Sequence, residues 1–551
     1  MSVSKSFPTK SSKILVLAFL TILAYLVFTT NNGSNVIPPR ILPKKQHTFD
    51  SKVFSNVIPP RILPKKQHTF DIKVANRYKK YLRPFTPGLD KNCVLTLPRK
   101  YVGEEDMPII IPPESEMKSL SLDAIACIYH RYVTSLQTQC ASMDRVGEIQ
   151  RKGWYICADP TYVPRKPCTT FLSNNIFPEN MFSGDLKLRY GCDIYKTPLW
   201  LKTSLKSWKN ETNIPINDVI DILILSINGI SNLPLIDHIV NEKSISQVRQ
   251  LLLELHFNPS HMSIEDYAQV LLRLKKLHKY GFRIVWFDRI FQCATPKFNK
   301  CYAVYFVQES FKDKTKNLEV VNLPSVEEIK GMESTKSSDL YFKYLQTTQI
   351  FCQNIFRMGQ IVDGGWDVCH DHMVKYTQPC IVYSFGVSGD LTFDDEVSET
   401  YHCDVFSFDP TTVFPTHQHG PNVWFYRIGI GNQHEKFKAG YVAPLQELRE
   451  MHNHTSSPIA ILKIDVEGAE WPSLPNMIET RQLEDVAQLY LEFHGQGDKE
   501  NELVVLKMLY DAGFRIFWFH PNPNCLYDKK IRTRSRCMEV YFINTSLKKK
   551  V

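Results

Sequence analysis

The chain carries one module twice. Cys140, Gly153, Trp154, Cys157, Pro167 and Cys168 recur as Cys352, Gly365, Trp366, Cys369, Pro379 and Cys380, each pair 212 residues apart. Leu251–His256 returns as Leu489–His494, and Gly281–Phe287 as Gly513–Phe519. Whatever fold one segment takes, the other must also be able to take. The positions that differ therefore separate architecture from chemistry. Ile461–Trp471 (ILKIDVEGAEW) has Leu223–Asn232 (LILSINGISN) as its counterpart, and there Asp465, Glu467 and Glu470 become Ser226, Asn228 and Ser231. A fold survives such changes, but a site built on carboxylates does not.

At 551 residues the chain has room for two domains and extra segments. Its 43% apolar and 12% aromatic content supports real cores. The net charge of +9 sits largely near the two ends. No basic stripe with interleaved aromatics occurs, which argues against nucleic-acid binding. Residues 14–30 form an uncharged, mostly apolar run preceded by Lys5, Lys10 and Lys13. It just reaches the lower length limit of a spanning helix, and Phe28-Thr29-Thr30 is a poor cleavage site. The pattern predicts a retained signal anchor. Residues 1–13 then stay cytosolic and the rest of the chain lies in the Golgi or ER lumen, a single-pass type II membrane protein. Residues 31–121 read as an extended stem, in which NVIPPRILPKKQHTFD occurs at 35–50 and again at 56–71.

The 14 cysteines agree with that compartment. Six match between copies: Cys140/352, 157/369, 168/380, 192/403, 293/525 and 301/537. Cys93 and Cys127 are left over and could pair. No tight Cys pair of the zinc-site kind is present, so a disulfide framework is expected. Its connectivity is not fixed by spacing. Asn32, Asn210, Asn453 and Asn544 head glycosylation triplets.

The first module spans 122–310, a polar link 311–337, and the second module 338–546. In the second, strands are expected at 380–387, 404–409, 422–431, 459–466, 487–494, 514–520 and 536–544, with helices at 444–454 and 501–513. Strands alternating with helices imply a mostly parallel α/β sheet, and the last two strands, without a crossover helix, should pair antiparallel. From Cys192 to Gly229 is 37 residues, against 65 from Cys403 to Gly468. The first copy is therefore degenerate, short of a strand and helix.

Ligands of such sheets bind beyond the carboxyl ends of the strands. The first strand of the second module runs into Ser384-Phe385-Gly386-Val387-Ser388-Gly389-Asp390, where glycines let the backbone approach a ligand. The second ends in Asp409, placed to accept ribose hydroxyls. The fourth ends in Asp465, with Glu467 and Glu470 beyond, and the fifth in Glu492 and His494. Gly386 falls opposite Asn174 and Asp409 opposite Pro198, so the first copy has lost these groups. Glu254 and His256 persist opposite Glu492 and His494, which reads as a framework role in both. Glu470 reads as the cap of a helix start.

Val382–Asp394 (VYSFGVSGDLTFD), Phe406–Thr411 (FSFDPT) and Leu462–Trp471 (LKIDVEGAEW) resemble the FkbM-type branch of S-adenosylmethionine-dependent methyltransferases, and within it animal methyltransferase-like proteins with a single membrane anchor. The resemblance implies tandem Rossmann-like class I modules, each a mostly parallel seven-stranded sheet with an antiparallel last strand. It implies S-adenosylmethionine as cofactor, with Ser384, Gly386, Gly389 and Asp390 around it, Gly386 and Gly389 along its methionine part. Asp409 would hold the ribose, and Asp465 would face the sulfonium and acceptor. The pattern departs at Ser384, where many such enzymes carry an acid.

Methyl transfer to a hydroxyl needs alignment and a base, and Asp465, Glu467 or His494 could supply it. The acceptor expected in a lumen or outside the cell is a glycan or similar oxygen nucleophile. Two other classes stay open. One is a non-catalytic binding protein of two such folds. The other is a metal-dependent Golgi glycosyltransferase using Asp465, Glu467, Glu492 and His494. The leading reading assigns no metal, and it takes His417 and His419 as solvent-facing loop residues.

Overall fold

The computed structural model describes residues 107–547, apart from 150–152, 174–179, 197–204, 216–217, 241–242, 291–292, 294–300, 313–319, 374–378, 438–439 and 527–533. The anchor at 14–30, the repeated stem sequence, Asn32, Cys93, Asn174 and Pro198 lie outside the described residues. Among the described residues, no helix is long and apolar enough to cross a membrane.

Two large sheets organise the fold, and their strands are numbered here in chain order. The first comprises β1 (Cys168–Leu172), β2 (Cys192–Lys196), β3 (Ile220–Asn228), β4 (Val248–His256), β5 (Phe282–Arg289) and β6 (Cys301–Gln308). The second comprises β7 (Ile381–Phe385), β8 (Asp404–Phe408), β9 (His417–Gly420), β10 (Val423–Tyr426), β11 (Ile459–Ile464), β12 (Val486–His494), β13 (Phe514–Pro521) and β14 (Cys537–Asn544). The strand orders are β2-β1-β3-β4-β6-β5 and β9-β10-β8-β7-β11-β12-β14-β13. Six positions correspond between the two sheets. In the second, β7, β8, β10, β11 and β12 run parallel, while β14 pairs antiparallel with both β12 and β13. β7 and β11 are buried along their whole length. A sheet covered on both faces selects such continuous apolar runs rather than alternation.

Several expectations need correction. The second sheet has eight strands, not seven. His417–Gly420 folds back on β10 as an antiparallel edge strand instead of forming a loop. His417 and His419 are half-buried there, because His417 packs on Phe425 with ring centroids 5.5 Å apart and His419 Nε2 lies 3.2 Å from Asp395. The third expected strand stops at Tyr426, and Gly429–Ile430 joins a separate three-stranded sheet. Residues 107–121 are not stem throughout, since Met107 and Ile109–Ile111 are buried in the core and Lys275 Nζ donates to Ile111 O at 3.0 Å. The polar link contains the helix Val326–Lys330, with Ile329 fully buried. Asn544 is buried within β14, its Nδ2 donating to Leu483 O at 3.3 Å, so the folded chain offers no acceptor there. Asn210 and Asn453 are exposed.

The disulfides repeat between modules. Cys140–Cys157, Cys168–Cys192 and Cys293–Cys301 match Cys352–Cys369, Cys380–Cys403 and Cys525–Cys537. Cys127 is disulfide-bonded as well. In the first module β2 is the edge strand, and no described strand lies beyond it where the second module places β10 and β9. The modules meet along β5 and β13. Trp286 and Trp518, equivalent residues of the repeated segment, stack with centroids 3.7 Å apart at 20°.

Candidate functional site

The second sheet reverses its winding between β7 and β11, since β8 and β10 lie on one side of β7 and β11 on the other. The crevice of such a sheet opens beyond the carboxyl ends of those two strands. A cavity of about 400 Å³ lies there, reached by Gly386, Ser388, Asp390, Lys463, Asp465 and Glu467, with Trp366, Glu492 and His494 completing its walls. That volume falls in the range of small-molecule sites.

Gly386 makes the crossing of strand ends possible. Its φ is +75°, and a Cβ there would stand 1.5 Å from the carbonyl oxygen of Asp465. Only glycine fits. Lys463, in the middle of an otherwise apolar strand, is 4% exposed. Its Nζ donates to Phe385 O at 3.1 Å and Gly386 O at 2.9 Å, and lies 5.0 Å from the centre of the Trp366 ring. Asp394 lies beneath, 1% exposed and accepting from Ser407 Oγ at 2.7 Å. Burial pushes its carboxyl up to about 6, against the pull of the Ser407 hydrogen bond and the Lys463 charge.

The far wall holds an imidazole among acids. Glu470, fully buried, accepts from the His494 backbone N–H at 2.7 Å and from Gly468 N at 2.9 Å, and lies 3.2 Å from His494 Nδ1. His494 Nε2 faces Glu467 at 3.4 Å and Asp465 at 3.9 Å. Burial opposes the charged ring, but the Glu470 hydrogen bond and charge, with Glu492 and Asp465, push His494 up to about 9. It is therefore an imidazolium at neutral pH. Burial raises Asp465, and the cations of Lys463 and His494 work against that rise. Burial, with Asp465 and Glu539 beside it, pushes Glu492 up to about 8. Glu467 stands at the mouth with φ +56° and its side chain 87% exposed. A non-glycine residue held in that region marks strain, which concentrates at functional sites.

The structure thus brings together Gly386, Asp390, Asp465, Glu467 and His494 around one cavity. Ser384 is fully buried beneath it. Gly389 sits one residue from the lining with φ +79°, against Phe414. Asp409 does not line the cavity. It is 4% exposed, its Oδ2 accepts from Ser388 N at 2.8 Å, and its Oδ1 accepts from Thr411 N at 2.8 Å and Thr411 Oγ1 at 2.6 Å. It clamps the glycine turn instead of offering a free carboxylate. Glu470 does more than cap a helix, because it orients His494. Asp465 and Glu467 both turn toward that imidazolium, which disfavours their reading as an open metal pair. Sequence reasoning missed Lys463, Asp394 and Trp366. The signal for Lys463 was a lone cation in a run of buried strand residues.

Among the described residues, the first module shows no comparable cavity beside Ile224, the position matching Lys463. The gap beside Trp154, lined also by Phe182 and Ile224, measures about 10 Å³. Glu254 there accepts from Trp154 Nε1 at 2.8 Å and lies 3.5 Å from His256. The framework reading describes this pair well. Its counterpart, Glu492 and His494, faces the cavity.

Residues 285–544 match the family described as a methyltransferase domain. The chain is 26% identical over 237 residues to the human protein named probable methyltransferase-like protein 24, and 26% identical over 234 residues to the rat protein of that name. Those matches cover 38% and 37% of this chain and 64% of each relative. The chain thus spans somewhat less than two thirds of the length of these relatives. A Haemonchus contortus phosphoethanolamine N-methyltransferase 2, solved with phosphomonomethylethanolamine and S-adenosylhomocysteine, aligns with 65% of this chain and 81% of its own at 11% identity, with a TM-score of 0.19. A superposition that loose carries no weight. The family match covers the second module, where the cavity lies, and that half of the chain is what resembles a methyltransferase domain.

Proposed function

We propose that the second module is an S-adenosylmethionine-dependent O-methyltransferase of FkbM type, anchored by residues 14–30 in a Golgi or ER membrane and facing a lumenal or extracellular acceptor such as a glycan. One observation carries the reading: a cavity lined by Asp390, Asp394, Asp465 and Glu467 opens at the winding reversal of the second sheet. A sulfonium is a cation, and Asp394, Asp465 and Asp390 supply the counter-charge it needs in a site of reduced dielectric. Gly386 lets the backbone approach the cofactor. S-adenosylmethionine would supply an electrophilic methyl group.

The remaining work falls to the chain. Glu467, at the mouth, accepts the proton of the acceptor hydroxyl. His494, held charged by Glu470, faces Glu467 at 3.4 Å and holds it at the mouth by charge. Asp409 shapes the turn at Ser388 through its hydrogen bonds to Ser388 N and Thr411. That engaged carboxylate is also the observation that favours a second reading, a binding protein without turnover. Calorimetry with S-adenosylhomocysteine on the purified protein separates them from an empty site. Saturable heat in the wild type, lost in Gly386→Val, is expected. No heat in the wild type would overturn the cofactor assignment. Heat without methylation of any glycan acceptor would favour the binding protein.

A further inference from the structure

The first module still reaches the cavity through one residue. Arg289, at the end of β5, donates from Nη1 to Asp367 Oδ1 at 2.9 Å across the module boundary. Both side chains are buried, 10% and 4% exposed. The other oxygen of Asp367 accepts from Arg357 Nη1 at 3.1 Å. Arg357 also donates from Nε to Gln360 O at 3.2 Å and from Nη2 to Val362 O at 3.1 Å. Those carbonyls belong to the turn that presents Asp363, Gly364 and Trp366 to the cavity. A continuous chain of charged hydrogen bonds therefore runs from the first module to one wall of the site.

The arrangement has no reciprocal. The repeat places Arg145 opposite Arg357, Tyr155 opposite Asp367 and Pro521 opposite Arg289. Arg145 holds the carbonyl of its own turn, donating from Nη2 to Glu148 O at 3.2 Å, but its charge partner is Asp288 of the same module, at 3.8 Å. Position 155 has no carboxylate and position 521 no cation. The second module therefore receives a brace that it does not return. Removing Arg289 leaves Asp367 Oδ1 without its charged donor and leaves Arg357 to balance the buried carboxylate, so the position of Asp367 and of the turn behind it depends on Arg289.

We propose that the first module acts as a built-in subunit of the cavity, with Arg289 a positioning residue that fixes the Asp363–Trp366 wall through Asp367 and Arg357. The proposal rests on the cavity being the cofactor site, and its test separates the two. Arg289→Gln and Arg289→Lys are made in the full chain. Hydrogen exchange of peptides covering 357–368 should rise at least about tenfold in Arg289→Gln and stay near wild type in Arg289→Lys, while the sheet of the first module is unchanged. The S-adenosylhomocysteine Kd should weaken about tenfold in the Gln variant and less than about threefold in the Lys variant, as expected when a site-forming group is misplaced. Unchanged exchange over 357–368 in Arg289→Gln overturns the proposal whatever the cofactor does. So does faster exchange spread evenly over both modules, because a merely stabilising contact would act that way. Localised exchange with no cofactor heat in the wild type supports the brace and overturns the cofactor reading. Should Arg289→Gln fail to fold, Asp367→Asn keeps the shape and removes the charge, and it is read by the same criteria.

Discussion

At the end of β11 the second module carries Lys463, Asp465 and Glu467. At the matching end of β3 the first carries Ile224, Ser226 and Asn228. The register is the same: Ser384 lies beside Lys463 on β7, and Leu172 beside Ile224 on β1. One floor is polar and hydrogen-bonded, and above it stands a cavity of about 400 Å³. The other has Ile224 in place of the lysine, and the gap beside Trp154 and Ile224 measures about 10 Å³. Apolar floors close by packing, because dispersion and hydrophobic burial favour contact. A buried lysine and aspartate must keep their partners, and that requirement holds the walls apart. The comparison suggests that the space is maintained by buried polar residues and not by strand order.

The largest effect is expected where the two strand ends touch. Gly386→Val should abolish cofactor heat and lower stability, by about 1–3 kcal/mol for the backbone conformation alone and more for the collision with Asp465 O. Gly229→Ala in the first module shares a positive φ but meets nothing within 4 Å, so it should cost only about 1 kcal/mol or slightly more. Thermal melts of both variants make the contrast. Equal costs would break it.

Next in size is Lys463→Ile, which gives the second module the residue of the first. It removes two charged hydrogen bonds, each contributing about 1.5–3 kcal/mol, and deprives Asp394 of its nearby cation. Denaturant titration should register a loss of about 3 kcal/mol, with cofactor heat gone. Heat that persists would show that the polar floor does not keep the cavity open.

Glu470→Gln removes the charge that orients His494. The imidazole, now pushed up to about 9, should fall toward its ordinary value, as an NMR titration of the ring would record. Turnover should drop on the order of tenfold to a hundredfold, with the acceptor KM little changed. A ring that still titrates near its wild-type value would remove Glu470 from the mechanism.

The smallest effect is a gain. Glu492 titrates near 8 in the folded protein against an ordinary 4.5, so folding takes up a proton there. Stability from this group is complete below the unfolded value and lost as pH rises through the folded one. Glu492→Gln should therefore raise Tm by a few degrees near pH 8 and leave it unchanged near pH 4. Glu254→Gln in the first module keeps a carbonyl for Trp154 Nε1, and its Tm should stay near that of the wild type. A Glu492→Gln gain of equal size at both pH values would argue for packing instead of titration.

Much of the architecture could be read from local pattern. IAILKI in the second module and ILILSI in the first are continuous apolar runs, which predict strands covered on both faces. The missing helix between 514–520 and 536–544 predicts the antiparallel end. The site was less legible. Asp465 and His494 come from different strands, and their meeting depends on β11 and β12 pairing in parallel. Asp409 looked free in sequence because its partners, the Ser388 and Thr411 backbone N–H groups and the Thr411 hydroxyl, are brought to it only by the folded turn. His417 and His419 looked like a loop because THQHG has no apolar alternation, and tertiary contacts with Phe425 and Asp395 make the strand.

The sequence by itself determined that two related units exist, that their cysteines correspond, and that one unit has lost its acids. These are properties of composition and spacing, which repeat along the chain regardless of how it packs. Tertiary structure alone decided which carboxylates remain open to a ligand, that Lys463 and Asp394 form the floor, and that Arg289 of one unit braces the wall of the other. The physical reason is that protonation, desolvation and hydrogen bonding depend on neighbours distant in the chain, and those neighbours are assembled only when the sheet closes.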